Sequence, residues 1–104
     1  MDNQLFTIEG NELVANGTMD FSLLISQQQG ILEMVEQLLA SDNTSIVINL
    51  SCVENIPSTA MGICMAAARR ASELNKHLCI KIRQKHAGAV GLTGLHKLVE
   101  IILV

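Results

Sequence analysis

The spacing of hydrophobic residues changes several times along the chain. Two short apolar pieces, residues 6–9 and 13–15, flank the turn dipeptide Gly10-Asn11 and predict a β-hairpin. From Phe21 onward apolar side chains recur every three or four residues, which predicts an amphipathic helix of about five turns. Asp20 precedes this helix and is a residue type that caps the free N–H groups of a first turn.

A β-branched and nearly all-apolar run follows at residues 45–50, which predicts a central strand buried on both faces. A second helix is expected to start at Pro57 and to end at residues 73–74, because proline is tolerated at a helix start. Ser58 and Thr59 are expected to supply hydroxyl caps. The positions expected to face inward are Met61, Cys64, Met65, Ala68 and Ala71.

Three further elements complete the chain. Residues 78–83 predict a strand with Lys81 and Arg83 facing water, residues 87–92 a short helix, and residues 99–104 a last strand. The predicted order is β-β-α-β-α-β-α-β. Such alternation is typical of an α/β fold, here a mixed, mostly parallel sheet of four to five strands with helices packed on it.

Length, composition and charge narrow the possible functions. The 104 residues predict a single domain spanning 1–104, with 49% hydrophobic residues, 2% aromatic residues and a net charge of -3. Few aromatic and basic residues argue against a nucleic-acid partner. The longest apolar run, residues 60–68, is far short of the ~20 residues of a membrane helix, so we expect no membrane insertion. Residues 1–4 show no start of a signal peptide, which favours a cytoplasmic protein.

The cysteines and histidines do not predict a metal site. Cys52, Cys64 and Cys79 are widely spaced, form no CxxC pair and lie in apolar contexts, which predicts reduced core residues. The three histidines are scattered, one to a segment. We therefore expect neither a metal nor another cofactor.

Three segments occur at informative places in this pattern. Residues 16–20 (NGTMD) end a strand and open a helix, residues 46–62 (IVINLSCVENIPSTAMG) run from strand through loop to helix, and residues 92–98 (LTGLHKL) precede the last strand. In order and spacing they resemble the STAS domain, in particular the bacterial anti-sigma factor antagonists. The resemblance covers essentially the whole chain.

The resemblance implies a regulatory protein that is not an enzyme. Relatives of this kind bind an anti-sigma factor that is also a serine kinase; phosphorylation of the first hydroxyl of the signature releases it, and a serine phosphatase resets the switch. Here Ser58 matches that hydroxyl, Thr59 the second hydroxyl, Asp20 the neighbouring aspartate and Gly62 the final glycine. The implied partner-binding residues are Asp20, Pro57, Ser58, Thr59, Ala60, Met61 and Gly62.

The signature departs from the family pattern at two positions. Pro57 stands where relatives carry aspartate, and Ala60 stands where they carry glycine. Proline removes a carboxylate and a backbone N–H, which leaves open an alternative: a constitutive, non-phosphorylated adaptor subunit of a transporter or signalling assembly. Many relatives also continue into a C-terminal helix, whereas this sequence ends at Val104. An uncovered strand or apolar face is an association surface, so we expect some homodimerisation.

Two other classes of function have weaker support. Ser58 as a nucleophile would need a base, and no histidine lies near it in the sequence. No phosphate-binding loop of the GxxxxGK type is present, which argues against nucleotide hydrolysis. The shortage of aromatic side chains also disfavours a small-molecule pocket.

Overall fold

A computed structural model of the chain describes residues 5–16, 19 and 21–104. The helices and strands follow the predicted order, with short 3₁₀ turns on either side of α3. They are β1 (Phe6–Glu9), β2 (Glu12–Ala15), α1 (Phe21–Leu39), β3 (Ser45–Asn49), α2 (Ser58–Glu73), β4 (His77–Ile82), α3 (Ala87–Leu92) and β5 (Glu100–Leu103). The predicted α/β class is confirmed. Gly94, which follows α3, adopts the left-handed conformation, with φ of 75°.

The five strands form one sheet in which spatial order equals chain order, β1-β2-β3-β4-β5. The β1–β2 hairpin is antiparallel and the other three pairs are parallel. Right-handed crossovers that always step in the same direction across a sheet place their helices on the same face. This topology therefore predicts a two-layer molecule, with helices on one side of the sheet.

The core lies between the helices and one face of the sheet. Residues that share this face by register include Leu13, Ile48 and Ile80, each 2% exposed or less. They form one cluster with the apolar side of α1 (Leu24, Ile31, Val35, Leu38). The three- and four-residue spacing in α1 predicts that Gln28 and Ile25 belong to this apolar side. Both are exposed, because they lie at its margin.

The other face of the sheet carries no part of this cluster. Val47 pairs in register with Cys79, and Asn49 pairs with Lys81. Val47 is only half-buried, so the expectation that β3 is buried on both faces is wrong. One-sided helix packing is the physical reason. Ser45, Val47 and Asn49, which point to this second face, are all only partly buried.

The inner side of α2 is lined by small residues, with Ala60, Ala67, Ala68 and Ala71 buried against the core. Cys64 is buried there as predicted, and burial raises the pKa of its thiol to about 12. Met61 and Met65, expected inward, are half-buried, while Ile63 is buried. Cys52 is exposed in the loop before α2, so its assignment to the core is wrong.

No helix in the described part of the chain combines the length and the apolar character that a membrane span requires.

Candidate functional site

The candidate site lies at the carboxyl end of the parallel strands. Because β2, β3 and β4 run in the same direction, the segments that follow them emerge at one edge of the sheet. The segment after β3, residues 50–57, leads directly into α2. Its entry is fixed by Leu50 and Val53, which are almost fully buried and linked by a 3.1 Å backbone hydrogen bond. The first half of the loop is therefore anchored in the core.

Ser58 is the first residue of α2 and is exposed. The N-cap is Pro57, in extended conformation, and it provides no side-chain capping bond. The expectation that Ser58 and Thr59 cap the helix is wrong, because both lie inside the first turn. Within the described residues, the Ser58 hydroxyl makes no hydrogen bond. Amides at a helix start have no intrahelical acceptor, and this leaves the Ser58 hydroxyl next to unpaired donors.

The exposed side of α2 is built from small residues in its first half, and Arg69, Arg70 and Glu73 follow in its last turns. Ser58, Gly62 and Ala66 are exposed at four-residue spacing and therefore share one face of the helix. Met61 and Met65 are half-buried beside this stripe. The small side chains leave this surface flat, and the flexible apolar side chains of Met61 and Met65 flank it. Such a surface suits close contact with another protein.

The remaining sequence-predicted residues divide between surface and interior. Pro57 and Thr59 are half-buried at the helix start, whereas Ala60 is 3% exposed and belongs to the core. Asp20, together with Gly17 and Thr18 of the same segment, lies outside the described residues. The structure thus places Ser58, Met61 and Gly62 together at the surface.

The loop before α2 is held by charged residues that follow β4. Arg83 Nε donates to the Ser51 carbonyl oxygen at 2.9 Å, and Arg83 Nη1 donates to Glu54 Oε2 at 2.9 Å. Lys85 Nζ donates to Glu54 Oε1. We call Glu54, Arg83 and Lys85 the Glu54 clamp. The adjacent ammonium and guanidinium groups hold the pKa of the Glu54 carboxyl below its usual range, with Lys85 the larger cause. The clamp therefore stays ionised to lower pH than a free glutamate would.

Two neutral contacts reinforce the first half of this loop. Asn49 Oδ1 accepts hydrogen bonds from the Ser51 amide at 3.0 Å and the Ser51 hydroxyl at 2.6 Å. His86 Nε2 lies 3.2 Å from the Val53 carbonyl oxygen, and since a carbonyl only accepts, the proton of this bond is on Nε2. The loop is thus tied to β3 and to the segment after β4.

These loop contacts are what sequence reasoning misses. Alternation in residues 78–83 predicts that Arg83 faces water, but it is half-buried and bonded to a segment about 30 positions earlier. A signal was available in the topology. Oppositely charged residues in the segments that follow neighbouring parallel strands, here Glu54 after β3 and Lys85 after β4, emerge at one edge of the sheet and are placed to pair.

Substitution of Gly62 tests whether the exposed stripe of Ser58, Gly62 and Ala66 is needed for folding stability. A Cβ at this position meets no atom within 4 Å, and its helical position is exposed. Gly62→Ala is therefore expected to stabilise the chain by about 0.5–1 kcal/mol, the cost of glycine in a helix interior. Chemical denaturation measures this gain. Gly30→Ala is the matched control, because Gly30 is also exposed, inside α1 and open at its Cβ. A loss of stability in Gly62→Ala but not in Gly30→Ala would show that the fold requires glycine at position 62.

Comparison with known proteins adds information on the fold. The chain is similar to the NMR structure of the protein TM1081, with a TM-score of 0.67 and 18% identity over 100% of this chain and 84% of that chain. At this identity the likeness shows a shared small α/β fold. The chain matches no protein-family model, and no curated protein matches it.

Proposed function

We propose that this chain is a regulatory protein-interaction module resembling an anti-sigma factor antagonist. It binds an anti-sigma factor of the serine-kinase type in the cytoplasm, through the loop before α2 and the exposed face of that helix. The observation that carries the proposal is Ser58, which is exposed at the first residue of α2 with its hydroxyl unbonded among the described residues. It occupies the position of the phosphorylated serine in a signature that is in register over the whole chain.

The surface around Ser58 suits a contact that depends on the absence of charge. Gly62 and Ala66 continue the same face with no ionisable group, and Met61 and Met65 flank it. The next exposed position at this spacing is Arg70, whose guanidinium is paired with Glu36. A partner packed on this stripe removes water from the Ser58 hydroxyl. A phosphate at this position adds about -1.5 to -2 charges, which such a contact cannot accommodate without a matching cation. Phosphorylation therefore switches binding off, and a serine phosphatase restores it.

A constitutive adaptor without phosphorylation is the alternative function. Pro57 favours it, because the helix start has a proline N-cap with no carboxylate in place of the family's aspartate. Intact-mass spectrometry of the protein purified from its native host separates the two functions. A species heavier by one phosphate that maps to Ser58 supports the switch. Unmodified protein under every growth condition tested supports the adaptor.

Capture from a lysate of the native host tests the partner directly. Ser58→Ala bait is expected to retain a protein with a kinase-like sequence, and Ser58→Asp bait is expected to lose it. Gly62→Ala bait should also bind less, because its methyl group projects from the contact stripe, whereas Gly30→Ala bait should bind normally. Equal recovery on Ser58→Ala and Ser58→Asp would exclude a charge-operated switch.

Self-association is a further part of the proposal, and exposed apolar side chains near β5 support it. Leu92 is 91% exposed, and Leu98, Leu103 and Val104 are each about half-exposed or more. These residues lie within a single stretch of the chain around β5, an edge strand. Large exposed apolar patches mark association surfaces, and we propose that these side chains contribute to one. Analytical ultracentrifugation at high protein concentration is expected to show dimer, and a sharp monomer there would contradict it.

A further inference from the structure

The start of α2 is weakly held by its own segment. Pro57 supplies no capping side chain, and within the described residues Glu54, Asn55 and Ile56 make no backbone hydrogen bonds. The first bonds of the helix run from the Ala60 and Met61 amides to the Pro57 carbonyl oxygen, at 3.0 and 3.2 Å. The position of Pro57, and of Ser58 beside it, therefore depends on how the preceding residues are fixed.

Two contacts fix those residues. The side chain of Ile56 is half-buried against the core, and the Glu54 carboxylate is bound by Arg83 and Lys85. Arg83 also binds the Ser51 carbonyl oxygen, so one guanidinium holds the loop at two points three residues apart. Arg83 directly follows β4, whose side chain at Ile82 is 1% exposed. Arg83 therefore extends from the end of a buried strand, and Lys85 lies in the 3₁₀ turn that follows it.

We infer that Glu54 is the positioning residue of the Ser58 site, holding the start of α2 in place through Arg83 and Lys85. The choice of this site rests on the proposed function, whereas the positioning by Glu54 is a property of the free chain. An exposed ion pair contributes little to global stability, because water and salt screen it. Its effect is local. It restricts a segment that is otherwise held only by the packing of Ile56, so that a partner or a modifying enzyme meets the Ser58 hydroxyl in one orientation.

Native-state hydrogen exchange of the free protein, followed by NMR, tests this inference. Glu54→Gln removes the charge but keeps the side-chain shape. It is expected to accelerate exchange at the Ala60 and Met61 amides by about two- to fivefold, the range open to an exposed ion pair. Exchange at the Leu50 amide, which donates to the Lys81 carbonyl oxygen inside the sheet, should not change. Lys85→Arg should preserve the wild-type rates, because it keeps the cation.

Salt and a second ion pair provide the controls. Raising ionic strength from about 0.01 M to about 1 M shortens the Debye length from ~30 Å to ~3 Å. This should accelerate Ala60 and Met61 exchange in the wild type and leave Glu54→Gln unaffected. Glu36→Gln breaks another exposed pair, Glu36 with Arg70 between α1 and α2, and should leave the Ala60 and Met61 rates unchanged.

Two results of the exchange experiment would contradict a positioning role of Glu54. Equal acceleration of all amides in Glu54→Gln would mean that the residue serves only general stability, and unchanged rates at Ala60 and Met61 would mean that Ile56 alone fixes the loop. Either result overturns the inference. If instead Ser58 proves never to be phosphorylated and no partner is found, the proposed function fails while the exchange result stands, since the free chain is measured.

Discussion

Ser58→Asp is expected to weaken binding of the captured partner by roughly 100- to 3,000-fold. Burying a charge without a partner costs about 3–5 kcal/mol, and 1.4 kcal/mol corresponds to a tenfold change in affinity. Ser58→Ala keeps the surface uncharged and is expected to bind like the wild type. Titration calorimetry or surface plasmon resonance with the purified partner measures both affinities.

The same substitution should not harm the fold. Ser58 is exposed in the first turn of α2, where a negative charge is favoured by the helix dipole by about 0.3–1 kcal/mol. Ser72→Asp is a matched control, because Ser72 is exposed in the last turn of the same helix, where a negative charge is disfavoured by a similar amount. Ser72→Asp should therefore lose slight stability and retain binding. A comparable loss of binding in both variants would show that net charge, rather than the Ser58 position, decides the affinity.

Ile48→Ala is expected to cost about 2–5 kcal/mol of unfolding free energy, the range for truncating a large core side chain. Ile48 is 2% exposed on the central strand and faces the helices. Val47→Ala, one position earlier on the same strand, should cost about 1 kcal/mol or less, a typical loss for a side chain outside the core. Neighbouring residues of one strand thus report separately on the two faces of the sheet.

Denaturant unfolding measures both losses. Folded domains commonly have only about 5–15 kcal/mol to lose, so Ile48→Val, expected to cost about 0.5–1.5 kcal/mol, is the second variant if the alanine protein does not fold. Equal losses at Ile48 and Val47 would contradict a one-sided core. They would indicate that the second face is also covered in solution.

The fold is largely predictable because local periodicity and topology agree. The hairpin around Gly10-Asn11, the five-turn length of α1 and the short α3 all follow from spacing and turn residues. Burial is harder. Val47 is apolar in a run of apolar residues, and only the strand order shows that its face carries no helix. Cys52 also lies in an apolar stretch, but the loop turns it outward.

The candidate site is also only partly predictable from the sequence. The place of Ser58 at the start of α2 follows from Pro57, because proline is suited to a helix start. Its missing cap bond does not follow from sequence, since one residue of shift moves a hydroxyl from cap to first turn. The contact of Glu54 with Arg83 spans 29 residues, and local patterns carry no information on such distances.

The agreement of spatial order with chain order also bears on how the molecule assembles. Every ladder joins strands that are consecutive in the chain, so each pairing closes only the loop or helix between them. Short closures cost less entropy than long ones, and folds with local pairings tend to form quickly. The sheet can therefore extend strand by strand as the ribosome releases the chain, with β1 and β2 paired before β5 exists.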